Sequence, residues 1–348
     1  MKRVISAILL GAVIATAGGA ATAQTTVRVG WCARTITAAA APYAVATKLG
    51  WFAQAGIRVE LVPLPGAAEC VKNLATGQID YALADVGPLA AIRLQGARMK
   101  VFYTAYQGNI FGIAVPVDSS VRKVSDLRGK RIGVISMGSA AVMVCRALVA
   151  MNGMDPDRDV SIVVAGEAAQ TAALLRSKEV DALSQFDTQY ALVENAGVKL
   201  RLLETREIAR FPSNGLITSE ETLQNKRAQA VALGQAYAKG TVFAIAHPEA
   251  AIRVVWEVFP TTRPIGKDEA TALHDDVHTL NARMANWRLE PVGVTKWGES
   301  LEANYDAYID FLVRNGALKA KVPTTDLVTN DLIDDINRFD SLEIQQQR

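Results

Sequence analysis

The sequence predicts an α/β protein of two lobes followed by a helical C-terminal region, and three observations carry that expectation. Short apolar strands alternate with helical patterns from Val27 to Ala105. The alternation starts afresh near Val117 and runs to Gln185. A chain of 348 residues, 50% of them hydrophobic, is also longer than one compact core ordinarily holds, so two units are expected.

The first element, residues 27–31, alternates apolar and polar side chains as a half-buried strand does, and the small-residue run 38–49 reads as a helix. Residues 57–63, 79–84 and 100–105 read as further strands, with helices at 69–76, ended by Gly77, and at 88–95 between them. The second run places strands at 131–135, 160–164 and 182–185 and helices at 140–151 and 168–177. After a strand at 216–218, long helical patterns dominate to the C-terminus.

Alternation at this spacing is the pattern of a parallel sheet, where ligands sit beyond the carboxyl ends of the strands. That singles out the loops at 32–37, 64–68, 85–87 and 106–109. The chain is expected to cross between lobes near 112–116 and again near 214–218. Residues 24–115 plus 219–348 then form one lobe and 116–218 the other, with the cleft between them as the natural ligand site. An internal echo points to equivalent lobes: Asn73-Leu-Ala-Thr-Gly-Gln-Ile-Asp80 is answered by Ala173-Leu-Leu-Arg-Ser-Lys-Glu-Val-Asp181. In each, a helix end runs through a polar turn into a strand that starts at Asp.

Residues 1–23 read as a secretory signal peptide, with Lys2 and Arg3 as the positive end, an apolar run over 4–17, and Ala21-Thr22-Ala23 before Gln24. An exported, periplasmic location follows. Lys2 and Arg3 also account for the whole +2 excess of 37 Lys+Arg over 35 Asp+Glu, a balance that excludes a nucleic-acid binder, which needs a basic face. Three cysteines, Cys32, Cys70 and Cys145, are too few for a disulfide scaffold and fit no zinc-ligand spacing. No GxSxG or Cys-His arrangement is present, so no enzyme activity and no cofactor are expected. His274 and His278 stand at a metal-binding spacing, but a solvated helix face explains them as well.

Several segments together resemble the extracytoplasmic substrate-binding proteins of bacterial ABC importers, the branch handling sulfonates and taurine, nitrate, and thiamine-pyrimidine precursors. They are Gly50-Trp-Phe-Ala-Gln-Ala-Gly-Ile57, Leu74-Ala-Thr-Gly-Gln-Ile-Asp80, Asp126-Leu-Arg-Gly-Lys-Arg-Ile-Gly-Val134, Gly138-Ser139 and residues 174–182. The resemblance implies a periplasmic-binding-protein fold of type II that closes on a small molecule and delivers it to an ABC permease at the inner membrane, as a monomer. Phe186-Asp187-Thr188 departs from the aromatic-proline pattern of sulfonate-binding relatives, and Pro65-Gly66-Ala67-Ala68 from their hydroxyl-rich loop.

Within the cleft the expected ligand-binding residues are Arg34, Tyr43, Gly66, Asp85, Tyr106, Gly138, Ser139 and Asp187. The strand at 131–135 runs through Gly138-Ser139 straight into a helix, a ready anion site. Arg34 offers a guanidinium matched to paired oxygens. Asp85 and Asp187 follow strands in opposite lobes and would take a nitrogen-bearing part of the ligand. The expected function is capture of a small organic anion or zwitterion for import. The other classes weighed are a ligand-sensing protein serving a membrane receptor and an exported hydrolase. Cys32 and Cys70 follow the first two strands of one lobe and are expected to pair, leaving Cys145 free.

Overall fold

A computed structural model describes residues 24–347; the expected signal peptide, 1–23, lies outside the described residues. Ten strands form two five-stranded sheets. The first holds β1 (Thr25–Trp31), β2 (Ile57–Pro63), β3 (Tyr81–Asp85), β4 (Met99–Thr104) and the late strand β10 (Asn214–Ser219), in the order β2-β1-β3-β10-β4. The second holds β5 (Ala114–Pro116), β6 (Arg131–Val134), β7 (Ser161–Val164), β8 (Ala182–Leu183) and β9 (Leu200–Leu202), in the order β7-β6-β8-β5-β9.

Both sheets are mixed, where the alternation had pointed to parallel ones: β10 runs antiparallel to β3 and β4, and β5 antiparallel to β8 and β9. The cause is connectivity. The parallel strands of each lobe end at the cleft, so a chain arriving from the other lobe enters at the cleft end and must run the opposite way. Residues 105–113 make the first crossing and 203–213 the second.

The internal echo corresponds to one clip used twice. In the first lobe the Arg28 N–H donates to Asp80 Oδ2 at 2.8 Å and the Arg28 guanidinium donates to Gly77 O. In the second, Arg131 N–H donates to Asp181 Oδ2 at 2.8 Å and its guanidinium to Lys178 O. Each clip pins the turn before a central strand to its neighbour.

The helices that position the cleft loops follow the strands: α1 (Ala41–Lys48), α2 (Ala67–Ala75) and α3 (Val86–Arg93) in the first lobe, α4 (Ala140–Met151), α5 (Ala168–Arg176) and α6 (Asp187–Asn195) in the second. Cys70, Val71 and Leu74, at helical spacing, bury one face of α2; truncating such a residue as Leu74 to Ala costs about 2–5 kcal/mol. Sequence patterning misses α6 and β9, and it reads β5 only as a crossing. Helix α6 is polar along much of its length, and β9 is only three residues long.

C-terminal helices α7 (Arg227–Ala246), α8 (Pro248–Val258), α9 (Glu269–Met284) and α10 (Glu302–Arg314) complete the molecule. Helix α7 lies along α1, where a Cβ on Gly240 would stand 2.1 Å from Pro42 O, so only glycine permits the approach. Helix α9 straddles the lobes. It packs on α6 and on the turn before α1, and Asn195 Nδ2 donates to Asp275 O at 2.8 Å.

Candidate functional site

The loops beyond the carboxyl ends of β1, β2, β6 and β8, with Leu83 of β3, line one cavity between the sheets, partly open to solvent. Two loop pairs close its mouth. In one, Ala68 N–H donates to Gly138 O at 3.0 Å and the Ser136 hydroxyl to Pro65 O. In the other, Arg34 N–H donates to Glu167 Oε1 at 3.1 Å and the Thr35 hydroxyl to Glu167 Oε2. The loop after β6 thus meets the loop after β2, and the loop after β1 meets the loop after β7.

Three helices reach the cavity with their starts, and the short turn before α1 joins them. Thr37 and Ala39 precede α1, Ala67 opens α2, Ser139 and Ala140 begin α4, and Thr188 and Gln189 lie in the first turn of α6. Helix starts carry unpaired N–H groups and roughly half a positive charge each. Ser139 is the N-cap of α4, its Oγ accepting from Ala141 N–H at 3.3 Å. Because a hydroxyl that accepts can still donate its own proton, capping and ligand contact are compatible there.

The full charge in the cavity wall belongs to Arg283 of α9, only 3% exposed. Its Nε and Nη2 donate to Asp187 at 2.9 and 2.6 Å, Asn286 Nδ2 donates to the same carboxylate at 3.0 Å, and its guanidinium carbon lies 4.0 Å from the Tyr106 ring centre. Burial opposes the Arg283 charge, but Asp187 and the tyrosines Tyr106 and Tyr237 more than offset it, so its pKa is raised.

The expected residues fall into three groups. Tyr106 and Ser139 line the cavity. Gly66 and Gly138 lie at its mouth and touch one another, with a Cβ on Gly66 clashing with the Gly138 carbonyl. Four are placed differently from the expectation. The Arg34 side chain is exposed and outside the lining, its backbone N–H being what reaches Glu167. Tyr43 is buried behind the cavity against Tyr237, ring centres 4.9 Å apart, because α1 presents it to α7. Asp85 caps α3, accepting from Gly87 N–H at 2.7 Å and Tyr308 O–H at 3.1 Å, beneath the cavity. Asp187 is held by Arg283 and Asn286, which leaves no free carboxylate for an ammonium group.

Arg283, Glu167, Gln189 and Asn214 escaped the sequence reading. Arg283 follows two histidines on a helix that looked solvated, and nothing local marks a residue whose partner lies 96 positions away. Cys32 and Cys70 are bridged and Cys145 is free and buried. Since Cys32 lines the cavity, the bridge ties the loop after β1 to α2.

Two equivalent mixed sheets joined by two crossings around a shared cavity are the periplasmic-binding-protein fold. Residues 37–251 match the family described as NMT1/THI5 like, and the chain belongs to that family. No curated protein matches the sequence. Solved structures with the same fold include a protein from Bordetella bronchiseptica RB50, with a TM-score of 0.71 and 20% identity over 90% of this chain and 97% of that one. The alkanesulfonate-binding protein SsuA from Xanthomonas axonopodis pv. citri, bound to MOPS, has a TM-score of 0.65 and 19% identity over 88% and 98%. The periplasmic nitrate-binding protein NrtA from Synechocystis PCC 6803 has 0.66 and 17% over 89% and 87%.

Proposed function

We propose that the protein is an extracytoplasmic solute-binding protein that captures a small organic anion or zwitterion between its lobes and delivers it to an ABC permease. The observation that carries this reading is the convergence of three helix starts, the short turn before α1 and Arg283 on one shielded cavity. A negative group there meets partial positive charge from both lobes and the Arg283 guanidinium, in surroundings where water screens little. Trp31, Phe111 and Phe186 offer apolar surface for the rest of the ligand. The names of two relatives, an alkanesulfonate binder and a nitrate binder, agree with an anionic head, and the signal-peptide pattern agrees with export.

Binding and closure are one event in this scheme, because the donors come from opposite lobes and are satisfied together only when the cleft is shut. A thermal-shift screen of sulfonates, carboxylates, sugars and amines identifies the ligand class; ligand at 100 times its Kd raises stability by about 2.7 kcal/mol. Titration calorimetry of Ser139→Ala then tests the site. Loss of a donor to a charged group lowers affinity about tenfold to a hundredfold, while a cap-only role lowers stability by about 1 kcal/mol and leaves affinity unchanged. Unchanged affinity, or a best ligand that is an uncharged sugar or a cation without an acidic group, refutes the anion site.

A further inference from the structure

Two cavity-lining residues from opposite lobes carry amide side chains, and each amide has one end fixed and the other end without a partner. Gln189, on α6, is fully buried; its Oε1 accepts from Ala168 N–H at 3.3 Å, and its Nε2 makes no hydrogen bond. Asn214, at the start of β10, donates from Nδ2 to Leu83 O at 3.2 Å, and its Oδ1 makes none. These orientations are not interchangeable. Flipping Asn214 would set two carbonyl oxygens against each other, and flipping Gln189 would set an NH₂ group against a backbone N–H.

The cavity therefore has a built-in polarity, with a hydrogen-bond donor on the second lobe and an acceptor on the first. Gln189 Nε2 adds to the donors that suit an anionic head. Asn214 Oδ1 does the opposite: a bare oxyanion finds only lone pairs there, and a buried acceptor left unmatched is costly. We propose that the ligand is an anion that also carries an N–H or O–H donor, and that Asn214 is the residue that selects for that donor. This rests on the anion-binding reading above and narrows it to amino, hydroxy or N–H heterocyclic acids, disfavouring donor-free anions such as nitrate or simple alkanesulfonates.

The test is titration calorimetry on the unmodified mature protein with two matched sets: ethanesulfonate, 2-hydroxyethanesulfonate and 2-aminoethanesulfonate; benzenesulfonate and 4-hydroxybenzenesulfonate. In each set that binds, the donor-bearing member is expected to bind at least about tenfold tighter. Asn214→Leu is expected to narrow that gap to less than about twofold, as size is kept and the acceptor lost. The comparison on the unmodified protein decides the matter even where the variant does not fold. Equal affinity within every set overturns the donor proposal while leaving the anion site standing. If no member of either set binds, the anion reading falls and this proposal falls with it.

Discussion

Gly66 and Gly138 meet across the mouth of the cleft backbone to backbone. A Cβ on Gly66 would stand 2.6 Å from the Gly138 carbonyl carbon and 2.8 Å from Ser139 N, and Gly66 sits at φ +134°, where side chains other than glycine's are strained. Gly66→Ala is therefore expected to hold the lobes apart and to weaken ligand binding at least about tenfold. Small-angle scattering at proven saturation reads the cause directly. The unmodified protein is expected to contract on binding and the variant to stay wider; equal radii for the two bound forms would remove this contact from the closing mechanism.

The buried carboxyl of Asp85 gives a stability signature in pH. Burial pushes its pKa up to about 7, only partly countered by the Gly87 N–H and the Tyr308 hydroxyl, and Asp276, under Trp256, is pushed up to about 6, also by burial first. A carboxyl that stays protonated in the fold but ionises when unfolded makes the native state bind more protons, so stability falls as pH rises. For Asp85 the loss runs from about pH 4 to about pH 7 and amounts to about 4 kcal/mol; for Asp276 it ends near pH 6. Asp85→Asn keeps an acceptor for Gly87 N–H and is expected to flatten the curve across that window. Urea melts at stepped pH check it, and identical slopes for variant and parent would show that Asp85 is not the titrating group.

The Cys32–Cys70 bridge and buried Cys145 predict a specific thiol count. Burial pushes the Cys145 thiol up to about 12, so the native protein is expected to show no reactive thiol at pH 8 and the unfolded, unreduced protein one. Reduction reopens a loop of sequence separation 38 and is expected to lower stability by about 3–4 kcal/mol, measured by melting with and without reductant. Three thiols in the unreduced protein would exclude the bridge.

Local pattern was enough for most of the strands and helices of both lobes up to Leu183, because they are largely apolar runs punctuated by Gly, Pro or Asp, but it read Ala114–Pro116 only as a crossing. It also placed Ser139 and Tyr106 at the cavity, since both follow strand ends in loops that such sheets put at the cleft. The polarity of β5 and β10 was illegible, for direction depends on which lobe the chain arrives from. So was the partner of Asp187. From the sequence it is a free acid after a strand, whereas in the fold a helix nearly a hundred residues later delivers Arg283 to it.

That ion pair has two roles that substitutions can separate. Arg283 joins the straddling helix α9 to α6 of the second lobe through Asp187, and it also brings a cation to the cavity wall. Arg283→Met leaves the Asp187 carboxylate buried with only Asn286 and Thr188 N–H as donors, so stability is expected to fall by about 3–5 kcal/mol and anion affinity roughly a hundredfold. Asp187→Asn keeps the shape and removes the neutralising charge; stability falls again, but anion affinity is expected to hold or rise. The double variant Arg283→Met, Asp187→Leu replaces the pair with apolar groups, which restores much of the stability because no unpaired charge stays buried, yet leaves the cavity without its cation. Urea melts and calorimetric titration with the best anion from the thermal-shift screen are to be run on all three. If Arg283 were only a clamp between α9 and α6, the double variant would recover affinity along with stability. Binding that stays weak in a protein that is again stable identifies the guanidinium as the group that meets the ligand.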